Sequence, residues 1–382
     1  MSPHILGSVL ASSQLVTHGL GLYLVAALLP LISADLGLGY DRLGFVVGAS
    51  TVGYVLGSLA GSRIPSRTSP VAVLIGLHLA MAGCFGAFTL ARHPLPMAVV
   101  AGAIGLLASP GWLSVVRIGG VGTGSGLVLS MASSGGAVGL IVNATVLGLL
   151  SEPSQWRIGF WVAAAISVLV ALAVSLLPIL AGGAAAEAVE VRSPWVVLVI
   201  AACAAAATST FVAFVVAMVV DELGASPVAG AAVVVVGGVS GIVSAPVMGT
   251  MIDRAGPVRA LQLGAAMFAG PLLLAAAWPS LGALLVAAVG FGFLNYPVWA
   301  VIGTALGRSL PPAAVNRVMS WALVSFGLSA SVAVPATGLV FDATGTLRPG
   351  LVVFALVCVV MAMLAPRLEA PGRRDGLAVG SP

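Results

Sequence analysis

The chain has 382 residues, of which 60% are hydrophobic and only 7% are charged, and its formal net charge is +4. Soluble domains carry roughly 25% charged residues, so this composition excludes a soluble globular protein and indicates an integral membrane protein. The basic residues are all arginines and lie near the ends of apolar runs or between them. The sequence therefore lacks the basic, aromatic-rich surface of a nucleic-acid-binding protein, and the partner that we expect is the lipid bilayer.

Twelve apolar runs follow one another along the chain. About 20 apolar residues are needed to cross the hydrocarbon layer, and each run must be helical because no backbone group is left unpaired there. The sequence therefore predicts an all-α integral membrane protein with twelve transmembrane helices. The predicted spans are residues 8–33, 43–63, 70–91, 95–116, 125–149, 157–180, 195–219, 228–250, 258–277, 280–306, 318–340 and 347–365.

The arginines predict the orientation. Cytoplasmic links are rich in Arg and Lys. With the N-terminus inside, eleven arginines lie in cytoplasmic segments (Arg63, Arg67, Arg117, Arg192, Arg254, Arg259, Arg308, Arg317, Arg367, Arg373, Arg374) and four in outer ones (Arg42, Arg92, Arg157, Arg348). We therefore expect a multi-pass protein of the cell inner (cytoplasmic) membrane with both termini in the cytoplasm.

A segment of small residues that carries two acids divides the chain. Residues 181–193 are rich in Gly and Ala and read as a flexible cytoplasmic tether. We expect an N-terminal six-helix half over 1–180, a C-terminal six-helix half over 194–366, and a disordered cytoplasmic tail over 367–382.

A repeated hairpin supports this division. The stretch 249–259 reads Gly, three residues, Asp253-Arg254, one residue, Gly, two residues, Arg259. A partial copy lies 192 positions earlier, where Gly57 and Arg67 match its first and last residues. Internal self-similarity at a fixed spacing indicates a duplicated unit.

Four stretches give the chain a resemblance to the major facilitator superfamily, and together they extend over nearly all of it. They are Asp253-Arg254 with its flanking glycines, Trp156-Arg157-Ile158-Gly159-Phe160, the run Gly135-Gly136-Ala137-Val138-Gly139, and Pro335-Ala336-Thr337-Gly338 with Asp342. The resemblance implies two pseudo-symmetric six-helix halves around a central cavity lined by helices one, four, seven and ten. It also implies a transporter that works by alternating access.

The resemblance places a cytoplasmic gate at Asp253, Arg254 and Arg259. The carboxylate of Asp253 would meet the start of helix five, near 122–125, because a helix N-terminus favours an anion. An ordinary turn with cytoplasmic arginines is the alternative. The first copy has Gly61 where the acid is expected, so we expect the inward-open state to be easier to reach than with two acids.

The predicted membrane interior holds few ionisable groups. The acidic residues all lie outside the middle of the spans, and ionisable groups inside a bilayer are costly and usually functional. We therefore expect a small, neutral or amphipathic solute. His18, near the middle of helix one with Gln14 one turn before it, could bind this solute or carry a coupling proton. The alternative is a structural histidine.

Further polar and aromatic residues complete the predicted cavity. Asn295 and Trp299 lie four apart in helix ten, where Pro297 is expected to kink the helix. Hydroxyl and amide side chains in spans also serve as helix–helix contacts, which is the alternative for each of these. The predicted cavity residues are Gln14, His18, Trp112, Asn143, Thr210, Phe214, Asn295 and Trp299.

The function predicted from these features is proton-coupled secondary transport by a monomer. A gradient-independent facilitator is the alternative, and a membrane receptor or intramembrane enzyme is a remote one. We expect no catalytic residues, no cofactor and no metal, since no His or Cys pair has metal-ligand spacing.

Overall fold

The computed structural model describes residues 2–38, 40–61, 63, 68–120, 124–150, 152–177 and 194–368. These residues contain twelve helices that are long and apolar enough to cross a membrane, as predicted. The predicted tether (181–193) and residues 369–382 of the predicted tail lie outside the described residues. The proposed boundaries of the two halves therefore stay a prediction.

We number the spanning helices α1 to α12. They are α1 Pro3–Ala27, α2 Tyr40–Gly61, α3 Pro70–Leu90, α4 Pro94–Gly119, α5 Ser125–Ser133 with Gly135–Leu149, α6 Trp156–Ser175, α7 Pro194–Ala217, α8 Pro227–Ala255, α9 Pro257–Ala277, α10 Leu281–Asn295 with Pro297–Ser309, α11 Pro312–Thr344 and α12 Arg348–Leu364. Shorter elements are Leu29–Leu36 after α1, Pro153–Gln155 before α6, Met218–Glu222 after α7 and Ala365–Leu368 after α12.

Local sequence explains several helix starts. Three helices begin after a serine whose side chain accepts a hydrogen bond from a backbone N–H of the first turn, namely Ser69, Ser226 and Ser280. Each bond satisfies one of the donors that a helix start leaves free. Proline occupies the first position of many of the helices, where its missing N–H costs nothing.

Short links make consecutive helices antiparallel and give the bundle two faces. We call the face that carries the α4–α5 and α8–α9 links the latch face, and the other the opposite face. Asp253 at the end of α8 contacts the start of α5, so these two links lie together. α1 therefore runs from the latch face at Pro3 to the opposite face.

Three helices are irregular where they pass the centre of the bundle. α1 contains a π-helical turn over Leu15–Leu20, which widens the helix around His18. α10 is interrupted between Asn295 and Pro297, as expected from the proline. α5 is interrupted at Ser134, ahead of its glycine run. A π-helical turn like the one in α1 is frequently found at functional sites.

Glycines allow the backbones to approach closely at two crossings. A Cβ on Gly19 of α1 would lie 2.5 Å from the Cα of Gly139 of α5. Cβ atoms on Gly53 and Gly57 of α2 would lie 1.9 and 2.2 Å from carbonyl oxygens of α4. The small-residue spacing in α2 therefore brings it against α4.

Candidate functional site

A cavity of about 460 Å³ lies at the centre of the bundle. Residues of α1, α2, α4, α5, α7, α10 and α11 line it. The lining extends along α1 from Gln14 to Ala26 and along α11 from Leu323 to Val334. Both helices run from the latch face to the opposite face, so the cavity reaches from the middle of the bundle toward the opposite face.

The latch side of the bundle is closed by contact between the two predicted halves. A Cβ on Gly307 of α10 would lie 2.5 Å from the carbonyl oxygen of Gly120, just after α4. A Cβ on Gly303, one turn earlier, would lie 2.8 Å from the side chain of Leu129 in α5. Backbones packed this closely leave no room for a solute at that level.

His18 projects from the π-helical turn into the wall of the cavity. Its Nε2 is 3.2 Å from the hydroxyl of Tyr54 in α2, and its Nδ1 is 3.1 Å from the hydroxyl of Thr17. The rings of His18 and Tyr54 meet edge to face, with 5.6 Å between their centroids. Both ring nitrogens therefore have hydroxyl partners, and a hydroxyl can donate or accept according to the protonation of the ring.

Aromatic rings form much of the rest of the wall. Trp299 packs edge to face on Trp112, at 6.4 Å between ring centroids, and against Phe326 at 5.2 Å. The described residues that line the cavity include neither an acid nor an arginine. The site therefore combines flat apolar surfaces with neutral polar groups, the arrangement that small-molecule pockets commonly use.

Five of the eight predicted cavity residues line this cavity, namely Gln14, His18, Trp112, Asn295 and Trp299. The structure puts the other three elsewhere. The side-chain amide of Asn143 donates to the carbonyl oxygen of Gly19, 3.0 Å away, in the π-helical turn of α1. Thr210 and Phe214 line a separate crevice of only about 10 Å³ beside α12.

Sequence reasoning missed most of the tyrosines in the cavity wall. The sequence contains four tyrosines, and three of them, Tyr23, Tyr54 and Tyr296, line the cavity. Tyrosines in spans usually sit at the interfaces with water. The position of Tyr54 in the middle of a predicted span was therefore the signal that could have found α2 as part of the site.

Asp253 makes the contact that was predicted for it, and the contact joins the two predicted halves. Its two carboxylate oxygens accept the backbone N–H groups of Gly126 and Leu127, each at 2.9 Å, in the first turn of α5. An anion at this point satisfies free donors and the positive end of the helix dipole. Gly126 is needed here, because a Cβ on it would lie 2.8 Å from a carboxylate oxygen of Asp253.

The arginine beside this carboxylate was not the predicted one. Arg308, at the end of α10, lies 3.6 Å from Asp253. Arg254 and Arg259, which were predicted for the gate, are exposed. The side chain of Arg308 is 45% exposed, so the two backbone donors of α5 are the stronger partners of Asp253.

The opposite face carries two contacts of another kind. Asp35, just beyond α1, accepts from the indole N–H of Trp156 at 2.9 Å and from the guanidinium of Arg157 at 2.6 Å, both at the start of α6. These partners hold the pKa of the Asp35 carboxyl below its usual value. Glu222, after α7, accepts from the hydroxyl of Thr346 and the backbone N–H of Leu347 at the start of α12.

Comparisons with known proteins show what the sequence and the fold resemble. The sequence profile of the Major Facilitator Superfamily matches residues 196–379. No curated protein matches the chain. Solved structures match over almost the whole length: the FucP transporter in its outward conformation at 17% identity and a TM-score of 0.76 (97% of this chain, 100% of that one), and the proton:xylose symporter XylE at 14% and 0.76 (96% of each).

A human organic anion transporter, MFSD10, has the same fold at 12% identity and a TM-score of 0.74, covering 95% of this chain and 98% of that one. At these identities the solved structures establish the fold, with its twelve spans and central cavity. The profile match covers the second half and agrees with that fold. The second half of the chain therefore matches the Major Facilitator Superfamily, and the described part of the chain has the twelve-helix fold of these solved transporters.

Proposed function

We propose that this protein is a transporter of the major facilitator superfamily, that it moves a small, neutral or amphipathic solute by alternating access, and that protons drive the movement. The main observation behind this proposal is the central cavity, which reaches toward the opposite face while the contact of Asp253 with α5 holds the latch face shut. A site that is open to one side and closed by a breakable contact on the other is what alternating access requires.

The chemistry of the wall supports the solute class. Trp112, Trp299 and Phe326 offer apolar surfaces, and Gln14 and Asn295 offer amides. A charged solute would need an opposite charge to compensate for its loss of water. The described lining residues supply no acid or arginine for this purpose, which favours a solute that enters uncharged.

His18 is the proposed site of proton coupling. It is the one cavity-lining side chain, among those described, whose unperturbed pKa is near neutrality. Its hydrogen bond to Tyr54 links α1 to α2 across the wall, so protonation would alter a contact of the cavity itself. Two of the similar structures are named as proton symporters of sugars, fucose and xylose, which supports proton coupling in this fold.

A gradient-independent facilitator is the second candidate. The observation that favours it is the lack of a carboxylate among the described lining residues. Both ring nitrogens of His18 also have hydroxyl partners, as expected for a structural histidine.

The orientation and assembly are part of the same proposal. The excess of arginines on one side favours a cytoplasmic latch face in the cell inner membrane, with both termini on that side. The cavity lies within one chain, so a monomer suffices for this function.

The first test is a thermal-shift screen of the purified protein with a broad solute library at pH 6 and pH 8. Stabilising solutes are then tested for uptake into proteoliposomes with and without a proton gradient. A solute that binds only the folded protein raises its unfolding temperature. We expect hits whose binding depends on pH in the wild type and not in His18→Gln, and uphill uptake that needs both His18 and the gradient.

His93→Gln is the matched control, because His93 is exposed at the start of α4 on the opposite face. It should leave binding and transport unchanged. Uphill uptake that survives collapse of the proton gradient would contradict proton coupling. Downhill uptake that is equal in the wild type and His18→Gln would favour the facilitator.

A further inference from the structure

A groove of about 340 Å³ lies on the outer surface of the bundle, between α9 and α12. We call it the α9–α12 groove. α9 lines it between Gln262 and Ala269, and α12 lines it between Cys358 and Met363. Both helices are membrane spans, and Ala266 and Met363 are exposed at the rim. The open side of the groove therefore faces the bilayer.

The groove occupies the half of the membrane next to the latch face. α9 begins at that face with Pro257, and α12 ends there with Leu364. A helix rises 1.5 Å per residue, so the stretch from Gln262 to Ala269 extends about 10 Å toward the middle of the bundle. One leaflet contributes about 15 Å, half of the hydrocarbon core. The groove thus has the depth of a single leaflet.

Small side chains form the floor of the groove. Ala265 and Ala269 of α9 and Cys358 of α12 are buried there. Among the described lining residues Gln262 supplies the one amide, and one of its N–H groups donates to the carbonyl oxygen of Ala362 at 3.4 Å. A water molecule needs two to four polar partners, whereas a hydrocarbon chain gains dispersion contacts along such a floor. The floor therefore suits an acyl chain.

Two arginines lie at the latch-face end of the groove. Arg259 precedes Gln262 by one turn on the same side of α9. Arg367 follows Met363 by one turn, in the short helix Ala365–Leu368, which packs against α9. Both arginines are exposed, and neither makes an ion pair with a described residue. The end of the groove is therefore positively charged and open to a ligand.

The order of these groups along the membrane normal matches that of a phospholipid. Guanidinium groups, which bind phosphate oxygens, lie outermost. The amide of Gln262 comes next, and its second N–H can donate to an ester carbonyl. The apolar floor follows. A free phosphate would use only the first of these three levels, so the complete groove fits a lipid better.

We propose that the α9–α12 groove binds one anionic phospholipid from the leaflet at the latch face. Its phosphate lies against Arg259 and Arg367, an ester carbonyl meets Gln262, and one acyl chain covers the alanines of the floor. Basic pockets between spanning helices bind anionic head groups in this way. A zwitterionic lipid binds less well, because its head group brings a cation close to the two arginines.

The test titrates lipid into the detergent-purified protein and measures its unfolding temperature. Dioleoyl phosphatidylglycerol is compared with dioleoyl phosphatidylcholine, which has the same acyl chains and no net charge. A lipid that binds the folded protein raises this temperature. We expect phosphatidylglycerol to reach half-saturation at a concentration at least about tenfold lower, which corresponds to about 1.4 kcal/mol. The double variant Arg259→Gln/Arg367→Gln should remove this preference and leave the response to phosphatidylcholine unchanged.

The matched control for charge is Arg63→Gln/Arg254→Gln. It removes two exposed arginines from the same face, at the ends of α2 and α8, and should keep the preference. Ala266→Trp places a large side chain in the groove and should weaken binding of both lipids at least about tenfold. Its control is Val286→Trp, at an exposed residue of α10, which should bind both lipids as the wild type does.

Two results would overturn the proposal. If Arg259→Gln/Arg367→Gln keeps the preference for phosphatidylglycerol, the arginines of the groove do not hold the head group. If Arg63→Gln/Arg254→Gln loses the preference to the same extent, the lipid responds to the charge of the whole face and not to this groove. The test needs no transported solute, so its result is independent of the proposed function.

Discussion

The polar contacts of the two faces differ in what they join. At the opposite face, Asp35 connects the end of α1 to the start of α6, and Glu222 connects the end of α7 to the start of α12. Each of these contacts stays within one predicted half. At the latch face, Asp253 of α8 connects to the start of α5, in the other predicted half.

This difference separates rigidity from movement. In the proposed alternating access, contacts within a half would travel with it and hold its first and last helices together while the halves rock. A contact between halves must break for the latch face to open. In the proposed mechanism the same physical device, a carboxylate against the start of a helix, would therefore serve stability on one face and switching on the other.

The largest expected effect comes from Asp253→Ala. The substitution removes two hydrogen bonds to a carboxylate, each contributing about 1.5 to 3 kcal/mol, so the latch-open population should rise by at least about a hundredfold. Distances between spin labels at the start of α5 and the end of α10 measure this population. The melting temperature should change little, because each half keeps its own contacts.

Two arginine variants sharpen this prediction. Arg308→Ala should change the population less than tenfold, since an exposed ion pair contributes at most about 1 kcal/mol. Arg254→Ala, at an exposed residue next to the latch, should have no effect. An effect of Arg308→Ala as large as that of Asp253→Ala would show that the ion pair dominates the latch.

Asp35→Asn should lower stability and leave the latch population unchanged. We expect a loss of about 1 kcal/mol near neutral pH, because the lost ion pair is partly exposed. The pKa of Asp35 is lowered in the folded protein, so its contribution is complete above the unfolded value of about 3.9. It is lost as the pH falls through the lower folded value.

Melting temperatures of the wild type and Asp35→Asn should therefore differ at neutral pH and converge below about pH 4. Asp221→Asn is the control, since Asp221 is an exposed acid at the same face. A difference that persists unchanged at the lowest pH would contradict the assigned role of the carboxylate.

Gly61→Asp should have the smallest effect. It introduces an acid at the position that matches Asp253 in the first hairpin. We expect it to lower the latch-open population by less than tenfold, which corresponds to a free-energy change below about 1.4 kcal/mol. The start of α11, the matching partner, has fewer free donors, because Pro311 and Pro312 have no N–H and only the residues after them could donate. A Cβ at residue 61 would also lie 2.5 Å from the tip of Leu113.

Gly61→Asn, similar in size but uncharged, separates the effect of charge from that of bulk. The same spin-label distances measure both variants. A decrease in opening by Gly61→Asp as large as the increase by Asp253→Ala would show that the first hairpin has an equally good partner.

The sequence predicted the contact between Asp253 and the start of α5 but not the arginine that lies beside it. The acid and its partner helix followed from the resemblance and from the field of a helix start. The neighbouring cation, Arg308, comes from α10, and sequence distance gave no reason to prefer it over Arg254. Likewise, Tyr54 of α2 contacts His18 of α1, and α2 lies against α4 through glycines; contacts between distant segments decided both.

The sequence by itself determined that the chain is a bundle of twelve spanning helices. Apolar length is a local property, and a backbone in lipid has to pair its own polar groups. Only the tertiary structure decided which side chains share the cavity. Asn143 turned to the carbonyl of Gly19, while Thr210 faced a crevice beside α12. Helix rotation and the π-helical turn around His18 arise from packing between distant segments, which no local pattern encodes.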